Sequence, residues 1–155
     1  MLGIVLTAVM TAFEPHPWSV LELAVWPTVQ LFDDRTDVYG LRISLGLGVS
    51  RSVTGLDLGL VNAAENVTGL EVGLVNLAFA LWSNTTVTGV QVGLLNATRV
   101  LRGLQIGLYN ETRDGYGLQI GVVNTGEDFH GVQLGLLNFN TKSPLSFFPF
   151  VNARF

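Results

Sequence analysis

Six near-identical octads decide the fold class: GLDLGLVN (Gly55–Asn62), GLEVGLVN (Gly69–Asn76), GVQVGLLN (Gly89–Asn96), GLQIGLYN (Gly103–Asn110), GLQIGVVN (Gly117–Asn124) and GVQLGLLN (Gly131–Asn138). Their starts are spaced by 14, 20, 14, 14 and 14 residues, and the longer step reflects an insertion around LAFALWSNTT. A degenerate unit, GLRISLGL at Gly40–Leu47, precedes them, and a more weakly similar unit, VLELAVW, lies earlier at Val20–Trp26. Recurrence at a fixed period indicates a repeat architecture.

Each repeat alternates with period two, which predicts a β-strand. In VTGLEVGLVN, Leu70, Val72 and Leu74 point to one side, and Glu71 points to the other with the glycines. Alternation over about nine residues is typical of strands, and glycine at two places per unit disfavours a helix. The polar segments between octads are rich in Asn, Asp, Thr and Gly, which form turns. The sequence therefore predicts an all-β domain of tandem 14-residue strand-turn repeats.

Two arrangements of these strands stay open. A nine-residue strand spans about 30 Å, whereas a five-residue loop reaches at most about 17 Å, so the loop is too short to carry a straight strand back for parallel restacking. This favours an antiparallel meander of about eight strands, which closes into a small barrel because an open meander leaves exposed edges. The alternative is a β-solenoid, since Asn and Gly repeated at fixed positions suit in-register stacking.

The third residue of the octad is the only regularly polar position within the strand. In a closed barrel, these side chains form a structural polar ring at mid-height, with the Leu-Val-Leu side facing lipid. In the opposite interpretation, the Leu-Val-Leu side fills a protein core and the Gly-Gln-Gly side faces water. The ring comprises Glu22, Arg42, Asp57, Glu71, Gln91, Gln105, Gln119 and Gln133.

Composition excludes several classes of function. The chain has 155 residues, 13% of them charged, with a formal net charge of −4 and no cysteine. Without a basic patch, nucleic acid is not an expected partner, and without cysteine there are no disulfides or thiolate metal sites. The two histidines, His16 and His130, have no ligands at metal-binding spacing, and no catalytic motif is present. We expect no cofactor, no metal and no enzymatic activity.

The two ends of the chain favour export to the cell envelope. Met1–Phe13 is an uninterrupted apolar run, too short to span a membrane and of signal-peptide length, although no basic residue precedes it. We therefore expect a leader at residues 1–18 and one β-repeat domain at 19–155. The chain ends on Phe155 after alternating Val151 and Ala153, which looks like the last strand of bacterial outer-membrane barrels.

Four segments together resemble a family of bacterial surface repeat-containing proteins from leptospires. They are WPTVQLF (Trp26–Phe32), VYGLRISL (Val38–Leu45) running into VTGLDLGLVN (Val53–Asn62), the tandem octads, and FPFVNARF (Phe148–Phe155). The resemblance covers nearly the whole chain after about Ser19. It implies an exported β-repeat protein of the cell surface or outer membrane, and it supplies no catalytic residues.

We therefore predict a non-enzymatic structural protein of the bacterial cell surface or outer membrane, with the lipid bilayer as its partner. The alternative is a secreted β-solenoid that acts as an adhesin or binding module through its Gly-Gln-Gly side. The sequence identifies no protein or glycan partner for either.

Overall fold

The computed structural model describes residues 18–26, 29–30, 36–78 and 85–155, and none of these residues is helical. Accordingly, no helix in those ranges is long and apolar enough to cross a membrane. The predicted leader lies outside them except for Trp18, which opens the first strand. The strands are β1 (Trp18–Trp26), β2 (Val29–Gln30), β3 (Asp37–Ala78), β4 (Thr86–Val92), β5 (Leu95–Ile106), β6 (Tyr109–Ile120), β7 (Val123–Asn140) and β8 (Phe147–Arg154).

Neighbouring strands in the middle of the sheet run parallel and are displaced by one sequence repeat. The eight strands form one sheet in the order β2-β1-β3-β4-β5-β6-β7-β8. Gln105 pairs with Gln119, and Gln119 pairs with Gln133, each 14 residues further along. Each octad therefore lies directly over the preceding one, so the chain winds in stacked coils. The β-solenoid kept open above agrees with this arrangement.

The prediction of all-β structure is confirmed, but the antiparallel meander closing into a barrel is wrong. Strands β1 and β3 to β7 pair in parallel, and the sheet does not close. The comparison of strand length with loop length gave the wrong direction because it treated the octad and its flanks as one straight strand. Among the described strands, antiparallel pairing occurs only at the ends of the stack, between β1 and β2 and between β7 and β8.

Three bends divide a coil into short extended segments, which lets the polar segment complete the turn. One bend lies at the Gly–Leu pair of the octad, as at Gly107–Leu108 between β5 and β6. A second lies after Thr112, where the pairing with the coil below skips one residue. The third is the first glycine of the octad, such as Gly103 with φ of 146°. A Cβ on Gly103 would overlap the carbonyl oxygen of Gly89 one coil below, so glycine is required there.

An apolar column lines one side of the narrow interior. It begins with valine in successive coils, continues with Leu101 and ends with Phe129. Phe129 pairs with Gly115 in the coil below and packs against Gly126, where a Cβ would lie 2.8 Å from the Phe129 Cβ. The large ring thus fills space that two glycines leave free. The fully enclosed members are Val38, Val53, Val67, Val87, Leu101 and Phe129.

Asparagines at the end of each octad form a second, polar column. The Nδ2 of Asn110 donates to Oδ1 of Asn124 in the next coil at 2.8 Å and to the backbone oxygen of Ile120 at 2.9 Å. One side chain thereby links two coils and satisfies a carbonyl beside the Gly–Leu bend. All members are 0% exposed: Asn62, Asn76, Asn96, Asn110, Asn124 and Asn138.

Strand β8 ends the parallel stack by reversing direction. It pairs antiparallel with β7, and Asn152 lies opposite Gln133, the last residue of the glutamine series. The Nδ2 of Asn152 donates to the Leu145 oxygen at 3.1 Å. The β7 edge is therefore covered by the chain's own terminal strand, which removes it as a template for another chain.

We expect Asn110→Ala to destabilise the domain by about 2–4 kcal/mol. The change leaves Oδ1 of Asn124 without its donor in the interior and opens a small void, and an orphaned buried polar group alone costs about 1–3 kcal/mol. The free energy of unfolding from chemical denaturation measures the effect. Asn66→Ala is the control, because Asn66 is exposed. Equal losses in the two variants would contradict a stabilising asparagine column.

Candidate functional site: the polar column and the apolar face

The structure buries all eight residues of the predicted polar ring, at no more than 1% exposure. They form a column along the stack rather than a ring around a lumen, because the strands are parallel. Glu22 pairs with Arg42, and Glu71 pairs with Gln91, in neighbouring strands. The column has a charged half in the first coils and a neutral half in the later ones.

The neutral half is a continuous chain of amide hydrogen bonds. The Nε2 of Gln105 donates to Oε1 of Gln91 at 2.8 Å, and Gln119 donates to Gln105 in the same way. Gln133 donates to Gln119 at 2.7 Å and to the Phe139 oxygen at 3.0 Å. Repeated glutamine thus allows every coil to pair with the coil below without burying a charge.

An ion pair occupies the centre of the charged half. Arg42 donates from Nε to Oδ1 of Asp57 at 2.8 Å and from Nη2 to Oδ2, and its Nη1 donates to the Ala63 oxygen at 3.2 Å. Both side chains are fully buried. Two-pronged pairing to a carboxylate is the geometry that suits a buried guanidinium. The structure thus identifies Asp57 as the partner of the buried Arg42.

Two further carboxyl groups flank this ion pair, with one hydrogen-bond donor each. Ser50 Oγ donates to Oε2 of Glu22 at 2.8 Å, and Gln91 Nε2 donates to Oε2 of Glu71 at 2.6 Å. The Oε1 atom of each glutamate has no hydrogen-bond partner. Sequence reasoning missed Ser50, because it lies outside the octads in a segment without a fixed pattern.

One guanidinium cannot balance three buried carboxylates, so the two glutamates favour their neutral form. Burial raises the pKa of Glu22 to about 7 against the attraction of Arg42, and it raises the pKa of Glu71 to about 7 with the repulsion of Asp57 added. Burial disfavours a charged carboxylate because water no longer solvates it. Since all four charged side chains are 0% exposed, a molecule outside the coil has no contact with them.

Exposed charges gather in the segments between octads. Asp128, for example, accepts from Lys142 Nζ at 2.9 Å and from Arg154 Nη1, and these bonds lower the pKa of Asp128 to about 2. His130 is exposed beside this cluster, with Nδ1 3.9 Å from Oδ1 of Asp128. Within the described ranges, no three acidic or histidine side chains are grouped to hold a metal.

The outward positions of the octads form a continuous uncharged surface, which we term the apolar face. None of its members is buried, and Leu60, Leu74 and Leu108 are at least 50% exposed. This places the Leu-Val-Leu side outside and the polar side inside. The apolar face consists of Leu56, Leu58, Leu60, Leu70, Val72, Leu74, Val90, Val92, Leu94, Leu104, Ile106, Leu108, Leu118, Ile120, Val122, Val132, Leu134 and Leu136.

The backbone at the projecting bend of this face is hydrogen-bonded to neighbouring coils. Leu94 N donates to the Leu74 oxygen at 2.9 Å, and Leu108 N donates to the Leu94 oxygen at 3.0 Å. Gly107 N, at the same bend, donates to the Ile120 oxygen at 2.9 Å. These bends therefore present hydrocarbon to the outside without a backbone N–H that needs water.

We expect the free energy of unfolding to fall as pH rises from about 4.5 to about 7. Glu22 and Glu71 have pKa values raised from 4.5 to about 7, so the folded state binds more protons than the unfolded state in this window. At 1.36 kcal/mol per pKa unit, each carboxyl destabilises the fold by about 3 kcal/mol above pH 7. Denaturation at pH 5 and pH 8 tests this, and higher stability at pH 8 would contradict it.

We also expect Glu71→Gln to stabilise the domain at pH 8 by about 2–3 kcal/mol, with little gain at pH 4. Glutamine occupies the same position in the four following octads, where its amide donates to the coil below. The measurement is chemical denaturation at both pH values. Glu127→Gln is the matched control, because Glu127 is exposed. Identical behaviour of the two variants would show that Glu71 does not carry the pH dependence.

Comparisons with known proteins supply no relative from which a role can be transferred. Protein-family models, curated proteins and solved structures were compared with the chain, and none matches. Two features of the described residues bear on the function: a polar column enclosed inside the coils, and an uncharged apolar face outside them.

Proposed function

We propose that this chain is a non-enzymatic structural protein of the bacterial cell surface or outer membrane, held on a lipid bilayer by its apolar face. In this arrangement the solenoid lies on the membrane, with the apolar face in the hydrocarbon boundary and the segments between octads in water. The observation that carries the proposal is the complete separation of exposed charge from the apolar face.

The distribution of charge supports contact with lipid. Outside the interior, every charged residue of the described ranges lies between the octads or beyond the first and last of them, and the octads contribute none. Six coils stacked about 4.8 Å apart, with about 13 Å of outward-facing strand in each, give the apolar face a projected footprint of about 370 Å². Its projecting leucines make the accessible area larger than this footprint, and an apolar patch of more than a few hundred Å² on a monomer is often functional.

The satisfied backbone of the apolar face supports the same partner. Hydrocarbon offers no hydrogen bonds, so a peptide group that enters it needs a partner within the protein. In the stack, N–H groups at the projecting bends donate to carbonyls of adjacent coils, as Val122 N does to the Leu108 oxygen at 3.0 Å. The apolar face therefore meets the main requirement for immersion at a membrane boundary.

The alternative, a secreted binding module that uses its Gly-Gln-Gly side, lacks the surface it needs. Gln91, Gln105 and Gln119 are 0% exposed and bonded to one another. An external partner would have to open the coils to reach them. The placement at the cell envelope rests on the resemblance described above.

We expect the full chain to float with phosphatidylcholine vesicles in a density gradient, with little dependence on salt. The contact is apolar and the net charge is −4, so added salt has little attraction to screen. The double variant Leu94→Gln, Leu108→Gln is expected to bind about 30-fold more weakly, because each half-exposed leucine loses about 1 kcal/mol of further burial.

The matched control is the double variant Thr88→Gln, Arg102→Gln, which changes exposed side chains outside the octads. Both variants keep the apolar segment Met1–Phe13, so a difference between them reports on the apolar face alone. Wild-type protein that remains at the bottom of the gradient, or equal flotation of the two variants, would overturn attachment through this face.

A further inference from the structure

A groove runs along the apolar face, parallel to the axis of the stack. Its floor is the second glycine of the octad in four successive coils, and its open volume is about 510 Å³. One wall carries Val or Ile, and the other carries Leu or Val. The floor is Gly73, Gly93, Gly107 and Gly121; the walls are Val72, Val92, Ile106 and Ile120, and Leu74, Leu94, Leu108 and Val122.

The interior of the coil requires this glycine floor. A Cβ on Gly93 would lie 2.5 Å from the Gly73 oxygen and 2.8 Å from Nδ2 of Asn76. No side chain therefore fits at these positions while the asparagine column stands beneath them. The projecting residues on both sides then leave a continuous channel about 14–19 Å long over four coils spaced about 4.8 Å apart.

We propose that this groove seats a single acyl chain, extended along the axis of the solenoid. The inference rests on the proposed function, and it names the part of the lipid that the face holds. Every lining residue is apolar or glycine, so no side chain in the groove can replace the hydrogen bonds to water that a charged or polar ligand would lose on binding. Uncharged walls match a hydrocarbon chain, which has no charge to complement.

The dimensions also favour an acyl chain. One leaflet of a bilayer has a hydrocarbon thickness of about 15 Å, which is the reach of one acyl chain and matches the length of the groove.

The test measures binding of monomeric parinaric acid, a fluorescent long-chain fatty acid, to the full chain in the absence of vesicles. We expect saturable binding of one molecule, with enhanced fluorescence. In competition, saturated fatty acids should bind about twofold more tightly per added methylene, since an open groove covers about half of the chain. This gain should stop once the acyl chain reaches about 15–19 Å.

Ile106→Trp places a large ring in the wall of the groove and is expected to weaken parinaric acid binding at least tenfold. Leu118→Trp is the matched control, since Leu118 belongs to the apolar face of the neighbouring coil but does not line the groove. Both variants remain apolar, so both should still float with vesicles. If Ile106→Trp fails to fold by circular dichroism, Ile106→Phe replaces it.

The outcomes separate the two proposals. Flotation with parinaric acid binding that only the Ile106 variant loses supports both proposals. If the protein floats but does not bind parinaric acid, or if both tryptophan variants lose this binding equally, the groove is overturned and membrane attachment stands. The same holds if the affinity for saturated fatty acids keeps rising with chain length beyond the length of the groove. Parinaric acid binding that only the Ile106 variant loses, without flotation, supports the groove and overturns membrane attachment. If the protein neither floats nor binds parinaric acid, the groove and membrane attachment are both overturned.

Discussion

The in-register stacking of one asparagine per coil is the interaction on which the other features depend. Asn76, for example, donates to Oδ1 of Asn96 at 2.8 Å and to the Val92 oxygen at 3.0 Å. These bonds form only if the same residue recurs at the same place in each coil, which fixes the register. Within that register, the period-two alternation of each strand places the polar side chains inside and the leucines outside.

The glutamine column reinforces this register with bonds that run the opposite way. Each asparagine donates to the following coil, as Asn110 does to Asn124, whereas each glutamine donates to the preceding coil, as Gln119 does to Gln105. The two rows of amide dipoles therefore oppose each other within one narrow interior. A buried polar network is favourable only when its members are satisfied, and repetition is a direct way to satisfy them. The charged half departs from this pattern, and its surplus of carboxyl groups makes the stability depend on pH.

The sequence alone was sufficient to predict the repeat, its all-β structure and the alternation that separates Glu71 from Leu70 and Val72. The parallel direction was predicted only as the alternative, because bends at residues such as Gly103 and Gly107 are invisible to a period-two pattern. Ser50 could not be foreseen because it lies in a segment of irregular length, and its contact with Glu22 depends on the stacking. The groove also required the structure, since its walls come from four coils that are distant in the sequence.

The asparagine column in the interior and the groove on the exterior depend on the same glycines. The asparagine column excludes a Cβ above it, and that exclusion leaves glycine at positions such as Gly93 and Gly107. The same glycines form the floor of the groove in the apolar face. The outward leucines are free of this constraint, because their side chains contact no polar column. The residues of the walls can therefore vary without disturbing the interior, while the glycine floor stays fixed by the hydrogen bonds that hold the coils together.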